Sequence, residues 1–134
     1  MGWELGESLE SNLVISALSK ALKNRRPNAG LIVHSDQGVQ YASNDFRKVL
    51  DDQQFIQSMS RKGNCWDNSV AESFFNIIKS ELIRHEKFKN KEEAFSAIFE
   101  YIEVYYNRQR RHSTINYKTP VQFEEGVKST ICCL

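Results

Sequence analysis

A chain of 134 residues with 40% hydrophobic and 26% charged residues has the composition of an ordinary globular domain, long enough for one core and too short for two. Its formal net charge of +1 excludes neither nucleic acid nor a metal site, because an acidic cluster and a basic groove cancel in such a sum. No apolar run approaches the roughly 20 residues of a membrane span, and no basic stretch followed by an apolar leader opens the chain, so a cytoplasmic, non-membrane setting is expected.

Trp3 and Leu5 alternate briefly, which suggests a strand entering the fold before Gly6. From Leu9, the apolar residues Leu13, Val14, Ala17, Leu18, Ala21 and Leu22 follow helical spacing, with Ser8 or Ser11 available as cap. Lys20, Lys23, Arg25 and Arg26 suit the negative pole of that helix, and Pro27 to Gly30 stops it. Leu31-Ile32-Val33 is a short apolar run bounded by Gly30 and Ser35-Asp36-Gln37-Gly38, the pattern of a strand buried on both faces, with Gly38 permitting the turn. Phe46, Val49 and Leu50 mark a second helix, and Phe55 to Met59 a second strand. The strand before Gly6, the helix from Leu9 and the strand at Leu31 follow the logic of a parallel crossover.

Arg61 to Asn68 lacks periodicity and reads as a mobile loop. Val70, Ala71, Phe74, Ile78 and Leu82 then share one helical face, and Glu72 heads the opposite stripe with Asn76, Lys79 and Ile83. A last helix over Lys91 to Tyr106 has Asn90 as cap, Glu92 and Glu93 in its first turn, and Ala94, Phe95, Ile98, Phe99, Ile102 and Tyr105 inward. The segment from Asn107 to Phe123 carries Arg108, Arg110, Arg111, His112 and Lys118 without one acid, which gives it a positive field of its own. Cys65, Cys132 and Cys133 show no ligand spacing, so neither a disulfide framework nor a zinc site is indicated.

Asp36 closes the apolar strand, Glu72 lies on a helix, and 35 residues separate them. Two such carboxylates can share hard divalent cations, the usual device for activating water or a 3′-hydroxyl against a phosphodiester. Spacing alone favours the plainer reading, two solvated side chains. The surroundings carry more: Gly30-Leu-Ile-Val-His-Ser-Asp36-Gln-Gly38-Val-Gln40-Tyr41, then Lys62-Gly-Asn64-Cys65-Trp66-Asp67-Asn68-Ser-Val-Ala71-Glu72-Ser73-Phe74-Phe75, then Tyr106-Asn107-Arg108-Gln-Arg110-Arg111-His112-Ser113 followed by Tyr117, Pro120 and Phe123.

In this order and spacing the three blocks resemble the integrase-type catalytic core of bacterial insertion-sequence transposases, relatives of retroviral integrases, from about Gly2 to Glu125. The resemblance implies a ribonuclease H-like α/β fold, a mixed sheet flanked by helices, and a D, D-35-E triad that binds two magnesium or manganese ions to cleave and join DNA strands. It makes Asp36 the second acid and Glu72 the third. The first acid, on an upstream strand, has no counterpart, so the expectation is an N-terminally truncated core over residues 1–125, with a tail over 126–134 unlike the family, and poor activity alone. Asp45, Asp51, Asp52 and Asp67 read as surface or capping residues, not as replacements.

The family likeness also carries Lys79 over as a DNA contact. His34 shares a strand face with Asp36, where it serves to position a phosphate or metal-bound water, or hydrogen-bonds at the sheet end. Cys65 reads as a small loop thiol, and Trp66 as a loop anchor or a base-stacking platform. Arg108, Arg110, Arg111 and His112 are expected on DNA phosphates, contributing affinity without sequence specificity. The expected partners are the DNA of element ends and target, and a full-length transposase or a second copy that repairs an unpaired sheet edge by strand exchange. A non-catalytic DNA- or transposase-binding inhibitor, or a decayed element product, is the alternative reading.

Overall fold

The computed structural model describes the backbone of residues 2–61 and 65–131, with side chains except at 65, 66 and 128–131. Where length suggested one core, the chain forms two compact units, Met1–Ser73 and Phe74–Leu134.

In the first unit, helix α1 (Ser11–Arg25) forms where the apolar spacing places it. It ends because Arg26 turns left-handed, with φ 45°, and its N–H reaches the Leu22 carbonyl at 2.9 Å, after which Pro27 bars continuation. The N-cap is Glu10, without a side-chain capping bond, so neither Ser8 nor Ser11 takes that role. The expected N-terminal strand does not form over residues 2–10. That segment is instead tied to α1 through Glu4, which accepts from Ser16 Oγ at 2.7 Å and pairs with Lys20 Nζ at 2.9 Å. A Cβ at Gly2 would collide with the Ala17 carbonyl and the Ala21 backbone, so glycine is what lets the segment lie this close.

The crossover expected from that N-terminal strand through α1 to Leu31 is therefore not formed; instead strand β1 (Ile32–Ser35), helix α2 (Asn44–Asp52) and strand β2 (Ile56–Met59) make a parallel crossover, with Ile32 opposite Ile56 and Ser35 opposite Met59. Ser43 caps α2, its Oγ accepting the Phe46 N–H at 3.2 Å. Phe46 and Leu50, one turn apart on α2, join Phe55 as the buried core, against which Val14, Ile15, Leu18, Leu22, Val33 and Tyr41 pack. Burial of each large apolar side chain of this kind stabilises by about 1.5–3 kcal/mol. β1 is not buried on both faces as its apolar run suggested. Val33 faces the cluster, whereas Ile32 and Ile56 are 63% and 55% exposed, because alternation along a strand sends neighbours to opposite faces.

Helix α3 (Ser69–Ile78) continues into π-helical turns over Lys79–Ile83, and helix α4 (Lys91–Phe99) into others over Glu100–Tyr106. Asn90 caps α4 as expected, its Oδ1 accepting the Glu93 N–H at 2.8 Å. Ile78, Tyr101 and Ile102 form the buried apolar part of the second unit. The expected inward stripe holds at Ile102, 4% exposed, but not at Phe99, 48% exposed at the end of α4, and beyond it Tyr101, 8% exposed, turns in. A π turn closes i→i+5 bonds and so rotates every later side chain away from regular α spacing. Val70, assigned to the apolar face of its helix, is also solvent-exposed.

The sequence reading assigned no element after the arginine block, yet helix α5 (Pro120–Ile131) begins there and runs past residue 125. Its start is a capping box: Gln122 N–H donates to Thr119 Oγ1 at 3.3 Å and Thr119 N–H to Gln122 Oε1 at 3.1 Å, with Pro120 at the first helical position. The motif Thr-Pro-Val-Gln was the available signal. Among the described residues no helix is long and apolar enough to cross a membrane.

Candidate functional site

Asp36 is the first residue beyond β1 and is exposed. Its Oδ1 accepts the Gly38 N–H at 2.8 Å, so the carboxylate folds its own turn while facing solvent. Gly38 does not need a left-handed backbone here; among the glycines described, positive φ belongs to Gly30, at 84°. The Gly38 carbonyl instead accepts from Tyr41 and Ala42 at 3.0 and 3.2 Å, which closes the loop into α2. Burial, and then the Asp36 charge, push the Tyr41 phenol above its ordinary range. His34 pairs with Ser58 across the sheet, its Nδ1 2.9 Å from Ser58 Oγ, which is the sheet-end hydrogen bond.

Beyond β2, Arg61 and Asp67 form a clamp. The Arg61 backbone N–H and Nε both donate to Asp67 Oδ2, at 3.0 and 3.1 Å, and Nη2 donates to Oδ1 at 3.1 Å. Asp67 belongs to the 3₁₀ turn Cys65–Asn68 that leads into α3, so part of the expected loop is regular. Residues 62–64 and the side chains of Cys65 and Trp66 lie outside what is described, as does the Cys132–Cys133 end. Glu72 is exposed on the first turn of α3. Among the described residues, no group of three His, Cys, Asp or Glu side chains is placed to hold a metal ion.

The Arg61 hydrogen bonds hold Asp67 down at about 2 from the ordinary 3.8, with His34 adding a smaller effect. A carboxyl pKa depressed by folding contributes stability that is fully present above the unfolded value and lost as pH falls through the folded one. The clamp is therefore expected to persist from neutral pH down to about 2. Carboxyl-carbon NMR of Asp67 checks this; a midpoint near 3.8 would show the clamp to be open in solution.

In the second unit the basic block divides. Lys79, Arg108 and Arg111 are exposed. Arg110 turns inward to Glu81: Nη2 lies 2.8 Å and Nε 3.1 Å from Glu81 Oε1. Tyr101 Oη donates to Glu81 Oε2 at 2.6 Å. Arg110 Nη1 is 3.3 Å from His112 Nδ1; a guanidinium only donates, so Nδ1 accepts and the neutral ring carries its proton on Nε2. Burial, and then Arg110, lower the His112 pKa, which keeps the ring uncharged at neutral pH. Arg110 also stands over the Tyr106 ring at 5.7 Å, and His112 meets that ring edge-on at 4.7 Å. The Arg110 bonds hold Glu81 below the usual carboxylate range, while burial and Glu81 raise Tyr101. Sequence reasoning missed Glu81 and Tyr101 altogether, since nothing local marks them as partners of Arg110.

Residues 1–65 match a family model described as "Integrase core domain", and residues 72–127 match a second model of the same description. The chain is 47% identical over 123 residues to "Insertion element IS600 uncharacterized 31 kDa protein" of Shigella sonnei, covering 92% of this chain and 45% of that protein. It is 42% identical over 125 residues to "Transposase for insertion sequence element IS904" of Lactococcus lactis, covering 93% of this chain and 49% of that one. Against "Transposase InsF for insertion sequence IS3A" of Escherichia coli the identity is 41% over 124 residues, covering 92% and 43%. The chain thus spans less than half the length of each of these relatives.

Proposed function

Because the chain belongs to the integrase core family of insertion-sequence transposases, we propose that it is part of a machine that cleaves and joins DNA strands with divalent metal. The observation that carries this reading is the placement of Asp36 and Glu72, one at the mouth of a strand and one on the first turn of a helix, both with carboxylates in solvent. The β1-α2-β2 crossover supports the finer assignment of a ribonuclease H-like sheet.

Asp36 and Glu72 offer the hard oxygen donors that magnesium or manganese prefers, and no third acid joins them among the described residues. The donor set fits ions completed by DNA phosphates and water better than a closed protein cage. When bound, such an ion neutralises phosphate charge and makes water or a 3′-hydroxyl a better nucleophile. With two acids alone, the chain in isolation binds metal weakly and cuts DNA poorly or not at all. Lys79, Arg108 and Arg111 hold the backbone of the DNA, and His34 lies beside Asp36 to orient a phosphate. Arg110 and His112 support that surface from within. The partner is the DNA of element ends and target, in the bacterial cytoplasm.

The test is magnesium- or manganese-dependent cleavage of a labelled duplex, with Asp36→Asn and Glu72→Gln beside the parent. Metal-dependent cleavage lost in both variants supports the assignment, and cleavage that survives Glu72→Gln overturns it. DNA binding without cleavage in the parent selects the second reading, a non-catalytic DNA-binding part.

A further inference from the structure

The geometry points to Glu81 and Arg110 as a positioning pair that presents Arg108 and Arg111 to DNA, an acid acting in favour of binding a polyanion. This rests on the reading of Arg108 and Arg111 as phosphate contacts. Arg110 sits between them in sequence but turns three of its five donors to protein partners, with Nε and Nη2 on Glu81 and Nη1 on His112. Its side chain is 23% exposed and that of Glu81 33%, so the pair is only partly screened by water. Tyr101 takes up a place on Glu81 Oε2 at 2.6 Å, and Tyr106 supplies an aromatic floor under the guanidinium.

The backbone around Arg110 is bent to match. The N–H groups of Gln109 and Arg110 both reach the Tyr105 carbonyl at 2.8 Å, closing the helix end. Two residues on, His112 N–H donates to the Lys118 carbonyl at 3.1 Å and Tyr117 N–H to the His112 carbonyl at 2.9 Å, a tight loop. Asn116 and Tyr117 in that loop are both left-handed, with φ 56° and 55°. A non-glycine pair in this region is held by its surroundings, not by its own preference. Glu81 lies 29 residues before Arg110, on the π turns that follow α3, so the ion pair fixes the basic loop to that helix. Flanking arginines are then presented on a rigid frame, which lowers the ordering cost of gripping phosphates.

The sign of one substitution separates positioning from plain charge. Removing an acid near DNA strengthens binding if only Coulomb attraction matters. As a positioning residue, Glu81→Gln weakens it, by about fivefold, the size of one ordinary hydrogen bond. Binding of a labelled duplex of arbitrary sequence to the whole chain, in metal-free buffer, gives the readout. Arg110→Gln should weaken binding comparably, and the double variant no further. Binding unchanged or tightened by Glu81→Gln overturns the proposal. Should that variant unfold, Tyr101→Phe, which keeps both charges, should show a smaller loss in the same direction, and no loss overturns it. If the parent does not bind DNA, the DNA reading itself has failed. Amide exchange over residues 110–118 then decides the pair: about tenfold acceleration in Glu81→Gln supports the frame, and unchanged exchange sinks it.

Discussion

Phe46→Ala is expected to destabilise the first unit by about 3–5 kcal/mol, the usual cost of emptying a buried phenylalanine site. Phe46 is 2% exposed, meets the Tyr41 ring edge-on at 5.4 Å between centroids, and shares its cluster with Leu50 and Phe55. Neighbours there are rings and branched side chains on three different elements, so the hole cannot close by moving one of them. A small unit has total stability on the order of 5 kcal/mol, and the variant should sit near its folding midpoint at room temperature. Functionally the loss reaches Asp36, because α2 and β1 meet through this cluster and the Asp36 turn joins them. Urea unfolding followed by circular dichroism measures it, with Lys48→Ala, exposed on the same helix, as a control expected within about 0.5 kcal/mol of the parent. A cost for Phe46→Ala below about 1 kcal/mol would mean that the cluster is not the core.

The second large effect is on DNA. Replacing both Arg108 and Arg111 by alanine should weaken duplex binding about tenfold or more, and should lower the slope of log affinity against log salt by about 1.8, since each phosphate neutralised contributes about 0.9 on a B-form duplex. Both side chains are exposed beyond the Arg110 frame, and neither the net charge of +1 nor the formal composition hints at such a surface. The slope is the sharper observable, because a general loss of stability would change affinity without changing the count of released counterions. An unaltered slope in the double variant would remove these two arginines from the interface. Specific end sequences and mixed duplexes should lose affinity alike, as phosphate contacts position without reading bases.

Several elements could be read directly from the chain. Helical spacing placed α1 and α2, the apolar run between Gly30 and Asp36 placed β1, and Asn90 marked the start of α4. These follow from rules that operate within one or two turns of chain: period, capping and proline. The family likeness likewise sits in short blocks, and the positions of Asp36 and Glu72 within them are properties of the sequence. Where the N-terminal strand was expected, Glu4 instead bonds Ser16 and Lys20 of α1, partners 12 and 16 residues away that the short alternation of Trp3 and Leu5 does not reveal. The inward stripe after Asn90 holds at Ile102 but not at Phe95 and Phe99, 38% and 48% exposed, and Tyr101 turns in beyond them, on π turns that no residue type announces.

The arginine block shows the division most clearly. Its positive charge, its lack of acids and its place after a long helix are written in the residues from Asn107 to Phe123. Which arginines face solvent is not, because Glu81 stands 29 residues from Arg110 and Tyr101 20 residues from Glu81. Local periodicity carries no information over such separations. What selects Arg110 is the tertiary placement of one carboxylate and one aromatic ring beside it, where a partly buried guanidinium costs free energy unless its donors are satisfied. The chain by itself determined that there would be a basic segment; packing decided which of its charges is structural and which remain in solvent.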